Sequence, residues 1–441
     1  MDLTRIQFVK SLVKSRYPQT IISVFLLAGF VLAIMAGFIG TPVGSQNFSI
    51  VFVWIAWWAI LILVAVPFFG RGWCAVCPIP LAGDWLQRGA IIDPAAKKPN
   101  WLGWRVPKFL RNMWTQNITF SLVVLFSATI LTNPRTTAIV LAAMLFMAIG
   151  LAMVFERRSF CRYLCPVGGF IGLYSKLAPF ELRVKQKNIC AGCHGKPCYN
   201  GSTDGAGCPW DVFPGGLVAN TYCGLCFECI RTCPHDNIAF SVRPFSVEAA
   251  TPTAKLDEAF KAFIMVGSAI SYAIVLMGTN GMIKLAAYQV FSKGWFLYAL
   301  LLVGTNFVGL PFLFWLFVRF GRSQRALNAK QFAMASSALI PLGLLLWVAF
   351  SLSFVLANAT YIMVALSDPF GWGWNLFGTA GMDWQPLGSA YVGILQAGVL
   401  VAGLAWSAFV AQKTADQSKV PAWRVILFCL AVTMVMMWLL L

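Results

Sequence analysis

Residues 223–234 read CGLCFECIRTCP and place Cys223, Cys226, Cys229 and Cys233 at intervals of three, three and four. Three thiolates at this spacing bind one [4Fe-4S] cluster, and the fourth, which precedes a proline, binds a neighbouring cluster. Incidental buried cysteines rarely fall into such a pattern. The segment therefore predicts a domain that holds two iron–sulphur clusters.

A second cysteine group precedes this segment and supplies the other half of the pattern. It consists of Cys190, Cys193, Cys198 and Cys208, and the last is followed by Pro209. Two of its gaps are longer than usual, and a loop rich in Gly, Ser and Asp can absorb them. The crossover rule predicts a first ferredoxin set (Cys190, Cys193, Cys198, Cys233) and a second ferredoxin set (Cys208, Cys223, Cys226, Cys229). Structural zinc is the alternative, since Cys-x2-Cys pairs also suit that ion.

The rest of the composition belongs to a membrane protein. Of the 441 residues, 59% are hydrophobic and 11% are charged, and the mean hydropathy is +0.75. Several apolar runs approach the roughly 20 residues that cross a hydrocarbon core. No cleavable signal peptide is apparent near the N-terminus. We expect an all-α polytopic protein in contact with membrane lipid, with an inserted cytoplasmic ferredoxin-like domain.

The positive charge of +18 has a topological explanation. Nine spans are predicted at 21–40, 49–69, 118–131, 137–155, 259–278, 294–318, 332–356, 390–410 and 423–441. With the N-terminus inside, 30 of the 33 Lys and Arg fall on one side, as the positive-inside rule requires. This places loops 319–331 and 411–422 inside and residues 358–388 outside, in an inner (cytoplasmic) membrane. A nucleic-acid partner has little support.

Three domains are predicted along the chain. Residues 1–156 form a four-span membrane domain, residues 157–246 form the cytoplasmic ferredoxin-like domain, and residues 247–441 form a five-span membrane domain. Cys429 is alone in the last span and is interpreted as an apolar packing residue. Neither histidine lies in a span, so a bis-His haem within the membrane is excluded.

The first domain contains an internal repeat that ends in two Cys-Pro motifs. The membrane-edge set consists of Cys74 and Cys77 from one copy and Cys161 and Cys165 from the other. Duplicated hairpins usually pack about a pseudo-two-fold axis, which predicts that the four cysteines face one another. A third metal or iron–sulphur centre, two redox-active dithiols and a copper site all remain open. Neighbouring arginines are expected to lower the pKa of these thiols.

These motifs together resemble the NapH/NosR/CcoG-type membrane-bound polyferredoxins over about residues 20–245. The motifs are Arg-x2-Cys-x2-Cys-Pro at residues 71–78, Arg-x2-Cys-x3-Cys-Pro at residues 158–166 and the two ferredoxin sets. The resemblance implies four spans, a cytoplasmic two-cluster domain, and electron transfer between the quinone pool or a cytoplasmic donor and a partner reductase system. The first motif departs from the family spacing of Cys-x3-Cys-Pro, and residues 247–441 lie outside the resemblance.

Two functions follow from these patterns, and a transporter-like or purely anchoring role for residues 247–441, with the clusters as a sensor, is a third. The first is an electron-transfer subunit of a respiratory oxidoreductase complex, with quinone or a partner redox protein at the membrane, rather than a stand-alone enzyme. The second is an assembly or maintenance factor that reduces copper or disulfides at the membrane-edge cysteines. No catalytic acid, base or nucleophile constellation is present, which favours the first. The outward segment 358–388 is rich in aromatic residues and is a candidate docking site for the partner.

Overall fold

The computed structural model describes residues 1–92, 102–252, 254–277, 281–319 and 327–441, and most of them are helical. The α-helices of at least five residues are Gln7–Lys14, Tyr17–Ile39, Leu81–Arg88, Trp114–Leu125, Pro134–Val154, Pro166–Tyr174, Lys187–Gly192, Glu228–Thr232, Leu256–Met277, Gly281–Tyr288, Lys293–Gly304, Leu310–Arg319, Ala329–Ala335, Leu339–Asn358, Thr360–Ser367, Ser389–Ser418 and Ala422–Leu440. Wider π-helical turns occur at Val51–Trp57, Ile60–Phe69, Phe160–Leu164 and Thr305–Gly309. Two strands are described, Phe180–Val184 (β1) and Ile238–Val242 (β2).

Eight helical stretches in the described ranges are long and apolar enough to cross a membrane. They are Tyr17–Ile39, Phe48–Val76, Pro134–Val154, Leu256–Met277, Lys293–Arg319, Ala329–Asn358, Ser389–Ser418 and Ala422–Leu440. Each contains or overlaps one of the predicted spans. The prediction of a helical, multi-pass membrane protein is confirmed. The predicted inside loop 319–331 lies largely outside the described residues.

The structure differs from the prediction at the third span, residues 118–131. Two shorter helices occupy this region, Trp114–Leu125 and Ser127–Ile130, and they are separated at Phe126, where φ is −97° and ψ is 8°. Together they rise only about 25 Å at 1.5 Å per residue, which is less than the roughly 30 Å of a hydrocarbon core. The break at Phe126 therefore leaves this region without a single helix of spanning length, and a third crossing at this place, on which the predicted sidedness depends, stays a prediction.

One compact unit comprises Met1–Val31, Ala65–Gln116 and Leu141–Val247. It holds all the cysteines except Cys429. Strands β1 and β2 pair in antiparallel register, with Phe180 opposite Val242 and Val184 opposite Ile238. The ribbon contributes Leu182 and Ile238 to a hydrophobic core that also contains two cysteines of the ferredoxin sets. The sheet therefore supports the cysteine-rich loops.

The N-terminal segment belongs to this same unit. Arg16 forms an ion pair with Glu228 at 3.1 Å, and Lys10 forms one with Asp236 at 2.6 Å. Val13 lies in the hydrophobic core beside the cysteines. The three predicted domains divide the sequence, whereas the compact units group residues in space, so the domain boundaries stay a prediction.

The second compact unit comprises Leu32–Val64, Asn117–Val140 and Glu248–Leu441. Trp347 is buried at its centre, donates from Nε1 to the Met265 carbonyl at 3.0 Å, and packs edge-on against the Tyr272 ring. Cys429 is completely buried. The Asp368 carboxylate accepts hydrogen bonds from the backbone N–H groups of residues 372 and 373 at 3.0 and 2.7 Å. These bonds shape the loop that carries the exposed aromatic residues.

Candidate metal centres

Each Cys-Pro motif ends a helical turn in the same backbone conformation. Cys77 has φ −59° and ψ 131°, and Cys165 has φ −57° and ψ 120°. The proline that follows disfavours helical geometry at the residue before it, so both cysteines turn out of their helices. The helices Leu81–Arg88 and Pro166–Tyr174 follow the motifs. The sequence repeat is therefore also a repeat of local structure.

The two copies of the repeat are joined by reciprocal arginine contacts. Arg71 and Arg158 occupy equivalent positions, three residues before the first cysteine of each motif. Arg158 donates from Nη1 to the carbonyl of Cys74 at 2.8 Å, and Arg71 donates from Nη2 to the carbonyl of Gly168 at 2.5 Å. Because each arginine bonds to the backbone of the other copy, the motifs are held next to one another.

The four thiols of the membrane-edge set lie in one group. The Cys161 thiol interacts electrostatically with those of Cys165, Cys77 and Cys74. Cys77 is half-buried and the other three are buried. The N–H of Gly168 donates to Cys165 Sγ at 3.3 Å, at the N-terminus of the helix Pro166–Tyr174. Thiols from both copies are thus close enough to influence one another, and their convergence on one centre stays a prediction.

Burial dominates the acid–base behaviour of these thiols. It raises the pKa of Cys165 to about 11, and it also raises the pKa of Cys77 and of Cys161. Arg158 acts in the opposite direction on Cys77 and Cys161, but its effect is smaller. The expectation that the arginines give these thiols a lowered pKa is wrong, because desolvation of the thiolate outweighs the positive charge. A bound metal supplies the charge that displaces such protons.

The first ferredoxin set is brought together from both halves of the cysteine pattern. Cys198 interacts electrostatically with Cys233, Cys190 and Cys193, and burial raises its pKa to about 12. Asn237 donates from Nδ2 to Cys190 Sγ at 3.3 Å and from its backbone N–H to Cys233 Sγ at 3.4 Å. One asparagine therefore holds two thiols that lie more than 40 residues apart in the sequence.

The second ferredoxin set surrounds a cavity. Cys229 interacts electrostatically with Cys226, Cys223 and Cys208, and burial raises its pKa. The cavity is lined by Leu182, Cys208, Trp210, Val212, Pro214, Leu217, Cys223, Cys226 and Cys229. All four thiols of the set thus line one apolar chamber. The assignment of the cysteines to two sets by the crossover rule, and their ligation of clusters, stay predictions.

The second ferredoxin set lies between the other two sets. Cys229 also interacts with Cys198 of the first ferredoxin set. Arg158 interacts electrostatically with both Cys161 of the membrane-edge set and Cys226 of the second ferredoxin set. Trp210 lines the cavity, and its ring lies 4.8 Å from Arg71 Cζ and 5.9 Å from Arg158 Cζ. The three groups of thiols therefore form a connected series within one compact unit.

Two buried side chains at these sites have N–H groups that need acceptors. Within the described part of the chain, Arg71 Nε and Nη1 and Trp210 Nε1 have no hydrogen-bond partner. A Cβ on Gly224 would lie 2.1 Å from Trp210 Nε1, so the indole N–H faces the cysteine loop of the second ferredoxin set. Buried donors normally have a partner, and hydrogen bonds to sulphur are a recurring feature of iron–sulphur sites. The residues around the membrane-edge set and around the second ferredoxin set therefore fit bound clusters.

A site for a single metal ion is not seen in the ranges that the structure describes. No group of three or more His, Cys, Asp or Glu there could hold one ion.

Sequence reasoning did not identify the residues that support these thiols. Asn237 and Trp210 contact or line the ferredoxin sets, and Asp84 pairs with Arg158. The position of Trp210 directly after Cys208-Pro209 was a usable signal. For Asp84 the sequence offers none, because its partner lies 74 residues away.

A comparison with protein families matches the membrane-edge motifs. Residues 50–108 and 137–185, about a quarter of the chain, match the family Fer4_5, described as a 4Fe-4S binding domain. These segments contain the whole membrane-edge set and end before the first ferredoxin set begins. The chain therefore carries a 4Fe-4S binding domain, and the match falls on the repeat.

Comparison with curated proteins finds distant relatives. The chain is 35% identical over 86 residues to "Putative electron transport protein YccM" of Escherichia coli (strain K12), which covers 19% of this chain and 22% of that protein. It is 33% identical over 111 residues to "Uncharacterized protein MJ0750" of Methanocaldococcus jannaschii, covering 25% and 42%. It is 30% identical over 82 residues to "Uncharacterized protein MJ0749" of the same organism, covering 19% and 30%. The chain thus spans less than half the length of these relatives. No solved structure matches it significantly.

Proposed function

We propose that this protein is a membrane-bound electron-transfer subunit that holds three [4Fe-4S] clusters, one in each set of four cysteines. The observation that carries the proposal is the position of the second ferredoxin set between the other two. When bound, the clusters supply one-electron redox chemistry. Electrons would pass between the quinone pool or a cytoplasmic donor and a partner redox enzyme, as the resemblance to the NapH/NosR-type polyferredoxins implies.

The residues of this chain have distinct tasks in the proposed function. The twelve thiolates hold the clusters. Asn237 orients Cys190 and Cys233, and Trp210 separates the second ferredoxin set from the two repeat arginines. The apolar side chains that line the second ferredoxin set would lower the polarity around a cluster there, which adjusts its reduction potential.

Burial favours a third cluster over redox dithiols at the membrane edge. Thiol–disulfide exchange needs accessible thiolates, whereas Cys74, Cys161 and Cys165 are buried and only Cys77 is partly exposed, so neither pair has two accessible thiols. The assembly-factor alternative, in which these cysteines reduce copper or a disulfide, requires that same access. We therefore favour electron transfer through a resident centre.

A partner redox protein is proposed to dock at the outward segment 358–388. Trp372, Trp374 and Trp384 are 52%, 42% and 52% exposed, and the segment contains no Lys or Arg. The rings of Trp372 and Phe370 stack at 4.5 Å, so the segment presents a preformed aromatic surface. Aromatic side chains are enriched at the centres of protein interfaces.

Replacing Cys226 by serine should remove one cluster. Cys226 is buried and lines the cavity of the second ferredoxin set, so the loss of its thiolate leaves an iron without its ligand. We expect anaerobically purified protein to lose about four iron atoms per chain, together with one EPR signal. Cys429→Ser is the matched control, since Cys429 lies outside every set and should leave the iron unchanged. Zinc without acid-labile sulphide in the parent protein would contradict the proposal.

The proposed orientation can be tested by labelling introduced cysteines in intact cells. Phe377 is 70% exposed in the outward segment. Gln417 is exposed at the end of the helix Ser389–Ser418, in the predicted inside segment 411–422, most of which is helical rather than a loop. A membrane-impermeant thiol reagent should label Phe377→Cys above the parent protein, but label Gln417→Cys only after the membrane is permeabilised. The reverse pattern would overturn the orientation derived from the positive charges.

A further inference from the structure

Arg71 is a buried charge with no ion pair in the described part of the chain. Its side chain is 1% exposed, and its one hydrogen bond runs from Nη2 to the carbonyl of Gly168. Nε and Nη1 have no partner. It interacts electrostatically with Cys74, Cys161 and Cys165 of the membrane-edge set and with Tyr222. The guanidinium is therefore directed at the shared interior of the repeat.

The equivalent arginine of the other copy is fully compensated. Arg158 donates from Nε to Asp84 Oδ2 at 2.9 Å and to Oδ1 at 3.2 Å, and it is also buried. Each copy of the repeat therefore contains an arginine at this position, but only Arg158 has a carboxylate partner. A buried charge without a counter-charge is strongly unfavourable, so the site around Arg71 requires an anion.

The backbone beside Arg71 is shaped to admit the guanidinium. A Cβ on Gly172 would lie 2.9 Å from both Nε and Nη2 of Arg71. The Trp210 ring lies 4.8 Å from Arg71 Cζ. The side chain is therefore packed against a glycine and an indole, while Nε and Nη1 make no hydrogen bond to the described residues.

We propose that Arg71 is the counter-charge of the membrane-edge cluster and raises its reduction potential relative to a site without it. This inference rests on the proposed function, since it assumes a cluster held by Cys74, Cys77, Cys161 and Cys165. Four thiolates around a [4Fe-4S] core carry a net negative charge, and one-electron reduction adds one more. A fixed positive charge in a medium of low dielectric constant stabilises the reduced state more than the oxidised state. Free N–H groups directed at cluster sulphur act in the same direction.

The test is a redox titration followed by EPR on purified full-length protein, with iron and sulphide quantified in each sample. Arg71→Gln removes the charge, Arg71→Lys retains it, and Gly172→Ala displaces the guanidinium. We expect Arg71→Gln and Gly172→Ala to shift the midpoint of one of three signals to more negative potential. Arg71→Lys should stay closer to the parent, and the other two signals should not move. Arg5→Gln, at an arginine whose side chain is 86% exposed, is the control for a change in net charge.

The outcomes separate this inference from the proposed function. If the parent protein holds only two centres, the proposed third cluster fails, and the inference fails with it. If three centres are present and no midpoint moves in Arg71→Gln, the inference alone is overturned. If the Arg71→Gln protein loses the third centre, the Arg71→Lys protein decides between two explanations. Retention of the third centre in Arg71→Lys supports the counter-charge. Loss of the third centre in Arg71→Lys as well shows that Arg71 has a purely steric role and overturns the inference.

Discussion

Changing Cys77 and Cys165 together to serine is expected to lower the iron content of anaerobically purified protein from about twelve to about eight atoms per chain. The two residues are the second cysteines of the two Cys-Pro motifs, and they share one backbone conformation. Removing one ligand from each copy leaves a cluster with two thiolates, which cannot retain it. Iron, acid-labile sulphide and the EPR spectrum of the dithionite-reduced protein measure the effect.

The signals of the two ferredoxin sets serve as the internal control for this variant. They should persist, because Cys190 to Cys233 are unchanged and belong to different groups of thiols. The Cys226→Ser protein should lose a different signal, so the two variants are complementary. If the parent holds only about eight irons and its thiol labelling changes with redox state, redox dithiols replace the third cluster.

Replacing Asp84 by asparagine is expected to destabilise the protein by about 3–5 kcal/mol, the usual cost of leaving one partner of a buried ion pair unpaired. Asp84 and Arg158 are 5% and 6% exposed. Asparagine preserves the shape of the side chain but removes the charge that compensates Arg158. Because Arg158 also contacts the Cys74 carbonyl and lies near Cys226, loosening it should release iron as well. Thermal unfolding of the detergent-purified protein and its iron content measure the two effects.

The matched control for this substitution is Asp236→Asn. Asp236 also forms ion pairs, but its side chain is 43% exposed, and exposed pairs contribute at most about 1 kcal/mol. The two variants remove the same charge in different environments. Equal stability of Asp84→Asn and Asp236→Asn would show that burial of the pair does not matter.

The membrane class and the inventory of thiols are predictable because both are local properties of the sequence. Long apolar runs must form helices in lipid, where backbone groups have no other partners, and eight of the predicted spans correspond to long helices. The third predicted span does not correspond to a long helix, because composition does not reveal the break at Phe126. Likewise, the pKa of Cys161 is raised because the thiol is buried, and the arginines adjacent to it in the sequence give no information about that burial.

The sequence by itself determined that this is a helical membrane protein with a duplicated Cys-Pro motif and two ferredoxin-type cysteine groups. Spacing and hydropathy act over a few residues to a few turns, so they can be interpreted without a fold. Only the tertiary structure decided that the second ferredoxin set lies between the other two, and that Arg158 has a carboxylate while Arg71 has none. The physical reason is that burial and charge pairing depend on residues distant in the chain. Two arginines that are equivalent in the repeat therefore meet different electrostatic environments.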